Sequence, residues 1–370
     1  MKPDDWMRLE NEADVPSPAL VLHSERIDEN LRRMVARVGD PVRLRTHIKT
    51  HKLPQLVVRQ LALGITKFKC ATIAEAELAA SAGAADVLLA LQPVGPNVGR
   101  FLQLMRAFPA TQFSTLTDSL EALATLSRAA AASGVVAEVL LDLDVGQART
   151  GIVPGPEAAA LYQVMHTLPG VRAGGLHAYD GQLHQRDAAE RGAACERAYA
   201  AVEKLRTELR AAGLSVPRVV AGGTPTFPFH ARRGDVECSP GTSVLWDAGY
   251  GTTMPDLDFL PAATLLTRVV SRPAHNRLCL DLGHKAVASE MPQPRVIFPE
   301  LPQARAVAHN EEHLVVETED AAHFPVGAVV HGIPWHICPT VALHSHVHVA
   351  TAGRASAIWP VVGRARFITI

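Results

Sequence analysis

The sequence predicts an α/β protein, a (β/α)8 barrel followed by an all-β domain. Eight β-rich runs alternate with Ala- and Leu-rich helical stretches between residue 19 and about residue 250. A parallel strand needs a crossover of about a dozen residues to return, so eight such pairs in succession point to a closed barrel; a doubly wound open sheet is the alternative. Past residue 255 the helical pattern stops, and short β-like runs separated by Pro and Gly take over. At 370 residues the chain is longer than one hydrophobic core usually serves.

The barrel strands are expected at Val42–Lys49, Lys67–Thr72, Asp86–Leu91, Gln112–Thr115, Ala137–Leu143, Arg172–Tyr179, Arg218–Gly222 and Val236–Gly241. Between them, Thr72 followed by Glu75 forms a capping box, and Gly83 stands where a helix C-terminal glycine belongs. Val202, Leu205 and Leu209 fall on one helical face ahead of Gly213, and the Ala-rich tract Arg128–Ser133 reads as helix surface. In the second domain strands are expected at Leu265–Ser271, Leu278–Leu282, Arg295–Pro299, Leu314–Thr318, Ala328–Gly332 and Val347–Thr351, with no helix. These readings place the barrel at 15–250 and the β domain at 251–370, the latter joined by residues 1–14.

Composition narrows the function. Lys and Arg number 36 against 37 Asp and Glu, a formal net charge of -1, and no run of like charge could serve as a nucleic-acid or membrane footprint. The expected partner is a small molecule. The N-terminal segment carries acidic residues and no apolar signal-peptide run, and no stretch is long and apolar enough to span a bilayer. Five scattered cysteines, Cys70, Cys195, Cys238, Cys279 and Cys338, argue for a reducing compartment, hence a cytoplasmic protein. Cys70 and Cys279 lie in apolar strand patterns and read as core.

In a barrel of this kind the active site lies at the C-terminal ends of the strands, and here those ends are polar. The first ends in Arg45-Thr-His-Ile-Lys-Thr-His-Lys52, the fifth runs into Asp142-Leu-Asp-Val-Gly-Gln-Ala-Arg-Thr-Gly151, and the sixth carries His177-Ala-Tyr-Asp-Gly-Gln-Leu-His184. A lysine projecting into that mouth, desolvated among other cations, has a lowered pKa and condenses readily with an aldehyde. Lys49 fits this better than Lys52, which belongs to the following loop; a surface lysine in a basic turn is the alternative. Gly222-Gly223-Thr224-Pro225 offers bare backbone N–H groups, an N-cap residue and a first-turn proline, an anion cup at a helix start or a tight turn.

In the β domain, His336 and Cys338 stand two residues apart, on one face of a strand, where both reach one ion. Two ligands leave positions open for water or substrate. With 17 histidines in the chain, an accidental His-x-Cys is the alternative. Glu311-Glu312-His313 reads either as a partner of that ion's ligands or as a solvated turn, and His344, His346 and His348 alternate like one face of a strand.

Taken in order, RTHIKTHK, DVGQARTGI, HAYDGQLH, GGTPTFP, SPGTSVLWDAGYG, DLGHKAVASE, NEEHL and HICPTVALH resemble the D-threonine aldolase and D-serine dehydratase family, whose fold-type III barrel is similar to that of alanine racemase. The resemblance covers nearly the whole chain. It implies pyridoxal 5'-phosphate (PLP) on Lys49, Arg149 at the ring phenolate oxygen, and His177 and Tyr179 flanking the pyridine ring. It further implies a phosphate cup built from Gly222, Gly223, Thr224, Gly241 and Thr242, and a divalent metal (manganese, zinc or magnesium) on His336 and Cys338. A homodimer acting on small D-amino acids is also implied. Thr46, His23 and Gln182 stand where the family commonly has proline, aspartate and histidine. The last of these leaves the general base open between His177 and His184.

The implied reaction is cleavage of a D-β-hydroxy-α-amino acid to glycine and an aldehyde, with dehydration to a 2-oxo acid and ammonia as the alternative. The Pro-Thr-Val-Ala-Leu-His stretch and the Tyr-Asp-Gly context resemble aldolases, whereas a thiolate ligand, suited to zinc, resembles the dehydratase arrangement. Alanine racemization needs a second base, a tyrosine of the β domain, but all four tyrosines (Tyr162, Tyr179, Tyr199 and Tyr250) precede it. A non-catalytic PLP-binding protein is disfavoured, because such proteins resemble this chain in its barrel alone.

Overall fold

The computed structural model describes residues 5–370, which divide into two compact units. One holds residues 34–49, 53–241 and 365–370; the other holds the chain up to Arg33, residues 50–52 and residues 242–364.

The chain opens on β1 (Ala19–His23), which runs into α1 (Ser24–Val38). The barrel follows as β2 (Arg45–His47), α2 (Pro54–Ala62), β3 (Lys67–Cys70), α3 (Ile73–Ser81), β4 (Asp86–Leu89) and α4 (Pro96–Ala107). It continues through β5 (Gln112–Thr117), α5 (Leu120–Ala132), β6 (Ala137–Leu143), α6 (Pro156–Met165), β7 (Val171–Ala178), α7 (Ala188–Ala211), β8 (Val219–Ala221), α8 (Phe227–Ala231) and β9 (Val236–Cys238). The eight strands β2 to β9 pair in chain order, all parallel, and an isolated bridge between Leu44 and Cys238 brings the last back to the first. Each expected barrel strand is present. The cap expected at Thr72 is formed: its Oγ1 accepts from the Glu75 N–H at 3.1 Å, while Glu75 Oε2 accepts from the N–H of Ala71, one residue before the cap, at 2.6 Å.

The interior of the barrel is layered by the period-two alternation of its strands. Arg45, Lys67 and Asp86 lie side by side in register at the N-terminal end. Arg45 reaches Glu237 at 2.6 Å and both Asp86 oxygens at 2.7 and 2.8 Å, and Lys67 reaches Glu237 at 2.6 Å. Arg218 joins Asp86 to Glu138. Next comes an apolar layer of Leu88, Leu116, Leu140 and Val220. The C-terminal mouth is polar again.

The second unit is a sheet ordered β13-β14-β11-β10-β1-β16-β17, with β15 pairing β10 and β12. Its strands are β10 (Ala263–Ala274), β11 (Arg277–Leu280), β12 (Val296–Ile297), β13 (Arg305–His309), β14 (Leu314–Glu317), β15 (Val329–Pro334), β16 (His346–Thr351) and β17 (Arg354–Pro360). The helices α9 (Ala248–Thr253) and α10 (Ile337–Leu343) belong to it, as does the first part of α1, up to Arg33. The contacts divide the chain differently from the boundaries read in the sequence: β1 runs antiparallel to β10 and parallel to β16, so the chain up to Arg33 belongs to this unit, and the unit resumes at Thr242. All five residues of β1 are buried, and such a run reads alike in either kind of sheet. The helix α10 corrects the expectation of a helix-free domain. The strands β13 and β17 contain no fully buried residue and no apolar alternation, which hid them. Cys70 is core as expected, whereas Cys279 is only half-buried.

Arg45 is fully buried, and its two carboxylate partners hold its guanidinium above the ordinary range despite the burial that opposes it. Burial alone would push Asp86 and Glu237 up, but Arg45 holds both below the usual carboxylate values. Arg45→Met leaves the buried cluster one cation short, with only Arg218 on Asp86 and Lys67 on Glu237, and is expected to lower the unfolding free energy by about 3–5 kcal/mol, measured by urea denaturation at neutral pH. For depressed carboxylates the stabilisation is complete above their unfolded pKa and is lost as pH falls through the folded one. The gap between the two proteins therefore narrows in acid.

Candidate active site

The barrel mouth holds a cavity of about 470 Å³ lined by Lys49, Lys69, Asp142, Arg149, His177 and Tyr179, among others. Four sequence-predicted residues thus share one cavity. Lys49 sits in the turn directly after β2, half-buried. Arg149 lies on the loop after β6, where Asp144 Oδ1 accepts from the N–H groups of Gly146 and Ala148 at 2.9 and 3.0 Å, and Asp118 accepts from Gly151 at 2.8 Å. That loop sets the Arg149 guanidinium 5.1 Å from the centre of the Tyr179 ring.

Under these residues runs a chain of hydrogen bonds. Asp142 on β6 and His177 on β7 are register partners, and Asp142 Oδ1 lies 2.6 Å from His177 Nδ1. A carboxylate only accepts, so Nδ1 carries the proton and Nε2 offers a lone pair. The amine of Lys69, on β3, lies 3.0 Å from that Nε2. Burial is the main cause that brings the Lys69 amine down to about 7, with Lys49 adding to it and Asp142 and Asp180 opposing. Burial and Lys69 likewise hold His177 below its ordinary value. The Asp142 carboxyl stays low because His177 outweighs its own burial. Neither Lys69 nor Asp142 was singled out from the sequence; the alternation Lys67-Phe68-Lys69 on a barrel strand was the available signal.

The Gly222–Thr226 loop after β8 is held from below. Thr226 Oγ1 donates to Asp180 Oδ1 at 2.7 Å and accepts from the Gly223 N–H at 3.2 Å. His230 Nε2 lies 2.9 Å from Asp180 Oδ2 and 3.4 Å from the Cys195 sulfur. Asp180, Cys195 and His230 are the single group of three such side chains within ligating reach of one another among the described residues. Its three facing atoms, Asp180 Oδ2, Cys195 Sγ and His230 Nε2, are spent on one another, and burial pushes the Cys195 thiol up to about 12, so the group acts as the loop's hydrogen-bonded base. The helix expected to start at Thr224 begins instead at Phe227, with Thr226 at its N-cap, and is five residues long. Thr224 serves differently: its Oγ1 accepts from the Gly241 N–H at 3.1 Å, tying the two glycine-bearing segments together.

In the second unit, His336 and Cys338 come together, but at the start of α10 rather than on a strand, with His336 at the N-cap. The buried Asp247 fixes this turn: Oδ1 accepts from Tyr250 N–H at 2.9 Å, capping α9, and Oδ2 accepts from Ile337 N–H at 3.0 Å. Burial raises the Asp247 carboxyl to about 6. His336 Nδ1 lies 2.5 Å from Glu290 Oε1. Burial would lower the His336 imidazole, but Cys338 beside it and Glu290 raise it to about 9. The Cys338 sulfur lies 3.1 Å from Thr50 Oγ1 and 3.5 Å from Thr242 Oγ1.

Other expected residues fall elsewhere. His184 is exposed on the loop after β7 and is not among the cavity's lining residues. Gln182, two positions before it, donates to the Val145 carbonyl at 2.8 Å. Glu311 and Glu312 pair with Lys285, so the carboxylate on His336 is Glu290, which the sequence reading passed over. His346 and His348 lie on β16, their rings 5.7 Å apart, whereas His344 ends α10.

Gly222 has φ +76, and a Cβ there would come within 2.5 Å of the His230 ring, whereas Gly213, at φ +77, has nothing within 4 Å. Gly222→Ala is therefore expected to destabilise by about 1–3 kcal/mol and Gly213→Ala by about 1. Thermal unfolding of the two variants side by side measures the difference; equal losses would deny the wedge between His230 and the loop.

Residues 22–247 match the alanine racemase N-terminal domain family, and residues 262–350 match the serine dehydratase domain family. The chain is 35% identical to D-threonine aldolase from Arthrobacter sp., over 95% of this chain and 93% of that one. Among solved structures it is similar to D-threonine aldolase from Filomicrobium marinum, with 30% identity, 95% and 96% coverage and a TM-score of 0.88. It is also similar to D-threo-3-hydroxyaspartate dehydratase from Delftia sp. HT23, with 26% identity, 94% and 98% coverage and a TM-score of 0.84.

Proposed function

The chain belongs to the D-threonine aldolase and D-serine dehydratase family, and on that premise we propose that it is a PLP- and divalent-metal-dependent lyase that cleaves D-β-hydroxy-α-amino acids to glycine and an aldehyde. The observation that carries this reading is the barrel-mouth cavity in which Lys49, Arg149, His177 and Tyr179 meet.

The residues fit the cofactor. The cavity is rich in cations, and the hydroxyls of Ser239 and Ser243, flanking Gly241 and Thr242, are buried without a hydrogen-bond partner, which suits an anion at that segment. Lys49 would hold the cofactor's aldehyde carbon through Nζ, and Arg149 would donate to its phenolate oxygen. His177 and Tyr179 would bracket the ring, and Thr224 and Thr242 would donate to its phosphate; the N–H groups of Gly222, Gly223 and Gly241 already donate to the Ala178 carbonyl and to the Thr226 and Thr224 hydroxyls, so those glycines would shape the cup rather than donate to it. When bound, PLP supplies the electron sink for the bond broken at Cα.

A metal fits His336 and Cys338, whose donor atoms lie within hydrogen-bond reach of each other. Glu290 on His336 Nδ1 fixes the ring's tautomer and orientation, as partners of metal-bound imidazoles do. When bound, a divalent ion lowers the pKa of a coordinated hydroxyl. The soft thiol of Cys338 favours zinc over magnesium, and it also keeps the dehydratase outcome, 2-oxo acid and ammonia, as the second reading. A homodimer and a cytoplasmic setting belong to the same proposal; light scattering on the purified protein tests the first.

The test is incubation of the PLP-loaded protein with D-threonine, with and without Mn²⁺ or Zn²⁺. Glycine and acetaldehyde, formed only with metal, are expected; 2-oxobutyrate and ammonia would make it a dehydratase, and no product would overturn the substrate class. Lys49→Ala is expected to abolish both turnover and the visible absorbance of the lysine-bound cofactor. Glu290→Gln is expected to weaken metal binding about 10–100-fold, read by titrating the ion against a chelator; unchanged affinity would remove Glu290 from the site.

A further inference from the structure

The two nitrogens of His177 are both engaged, Nδ1 by Asp142 at 2.6 Å and Nε2 by Lys69 at 3.0 Å. The ring therefore has no lone pair left with which to take a proton from a ligand in the cavity. His184 is exposed and absent from the cavity lining. The Lys69 amine differs from both. It is 3% exposed, lines the cavity alongside Lys49, and spends one N–H on His177. In its neutral form it keeps a second N–H and a lone pair.

Resting on the lyase reading above, we propose that Lys69 is the general base that takes the proton of the substrate β-hydroxyl, with Asp142 and His177 positioning its amine. The O–H bond breaks and its proton goes to Lys69 Nζ. The oxygen's electron pair forms the aldehyde C=O as the Cα–Cβ bond breaks, and the pair of that bond remains with the amino-acid half. The ammonium returns the proton to Cα, which completes glycine and leaves the amine neutral; no oxidant or reductant is consumed.

The charged groups around Lys69 make this workable near neutrality. Lys49 and Arg45 from the first barrel strand and its turn disfavour the ammonium, Asp142 on β6 and Asp180 after β7 favour it, and His177 and the Tyr179 ring, 5.4 Å away, complete the surround. Burial and Lys49 together outweigh the carboxylates and place the amine at about 7. The neutral base therefore accumulates as pH rises through that value.

Three variants and one labelling experiment test the assignment. Lys69→Met is expected to lower kcat for D-threonine at least about 100-fold while substrate binding, read from the cofactor's spectral change, holds within a few-fold. Lys69→Arg, which keeps the charge but stays protonated, is expected not to rescue it. Competitive acetylation of the purified protein with acetic anhydride, read by mass spectrometry, is expected to show Lys69 reacting with a midpoint near neutrality, far below the ordinary lysine range. Asp142→Asn, which removes a carboxylate favouring the ammonium, should move that midpoint and the rising limb of the kcat profile to lower pH. Turnover retained in Lys69→Arg or Lys69→Met would overturn the base assignment alone, as would a Lys69 midpoint in the ordinary lysine range or an amine closed to the reagent at every pH. Failure of the unmodified protein to release glycine from any D-β-hydroxy amino acid would instead overturn the lyase reading, and the base with it.

Discussion

The return of every parallel strand through a crossover is the constraint on which the site depends. Because β2 to β9 all run the same way and pair in chain order, the C-terminal end of each arrives at one rim. Lys49 follows β2, Lys69 lies on β3, Asp142 on β6 and His177 on β7, residues up to 128 positions apart in sequence that share a cavity because their strands share a direction. An open sheet with the same strand order would leave β2 and β9 at opposite edges. The bridge from Leu44 to Cys238 closes that gap.

Within the barrel the polarity changes along the axis. Arg45, Lys67, Asp86, Glu138, Arg218 and Glu237 neutralise one another at the N-terminal end. The apolar layer of Leu88, Leu116, Leu140 and Val220 separates them from the mouth. There the balance is no longer even: Lys49, Lys69 and Arg149 face Asp118 and Asp142. Burial and the excess of positive charge in this cavity disfavour the Lys69 ammonium, and the same charge welcomes an anionic ligand. The fold places charge twice, once for stability and once for chemistry.

What the sequence made legible was periodicity and local chemistry. All eight barrel strands were readable because runs such as Asp86–Leu89 and Ala137–Leu143 are mostly apolar, short and bounded by helix signals. That Lys49, Arg149, His177 and Tyr179 line one cavity was legible because each stands at or just past a strand end in a recognisable motif. Hidden residues were those whose importance comes from a partner far along the chain. Glu290 matters through His336, Asp247 through Ile337, Asp180 through His230, and Lys69 through His177, and no spacing announces such pairs. The strand β1 was assigned to the barrel's range because a fully buried apolar run carries no mark of which sheet it joins.

The account rests most directly on which amine carries the cofactor. Borohydride reduction of the PLP-loaded protein, followed by proteolysis and mass spectrometry, fixes the linkage in place and locates it. The account predicts a single pyridoxyl label on the peptide containing Lys49, lost in Lys49→Ala and retained in Lys69→Met. A label on Lys52 or Lys69, or none on any lysine of the barrel mouth, would contradict it.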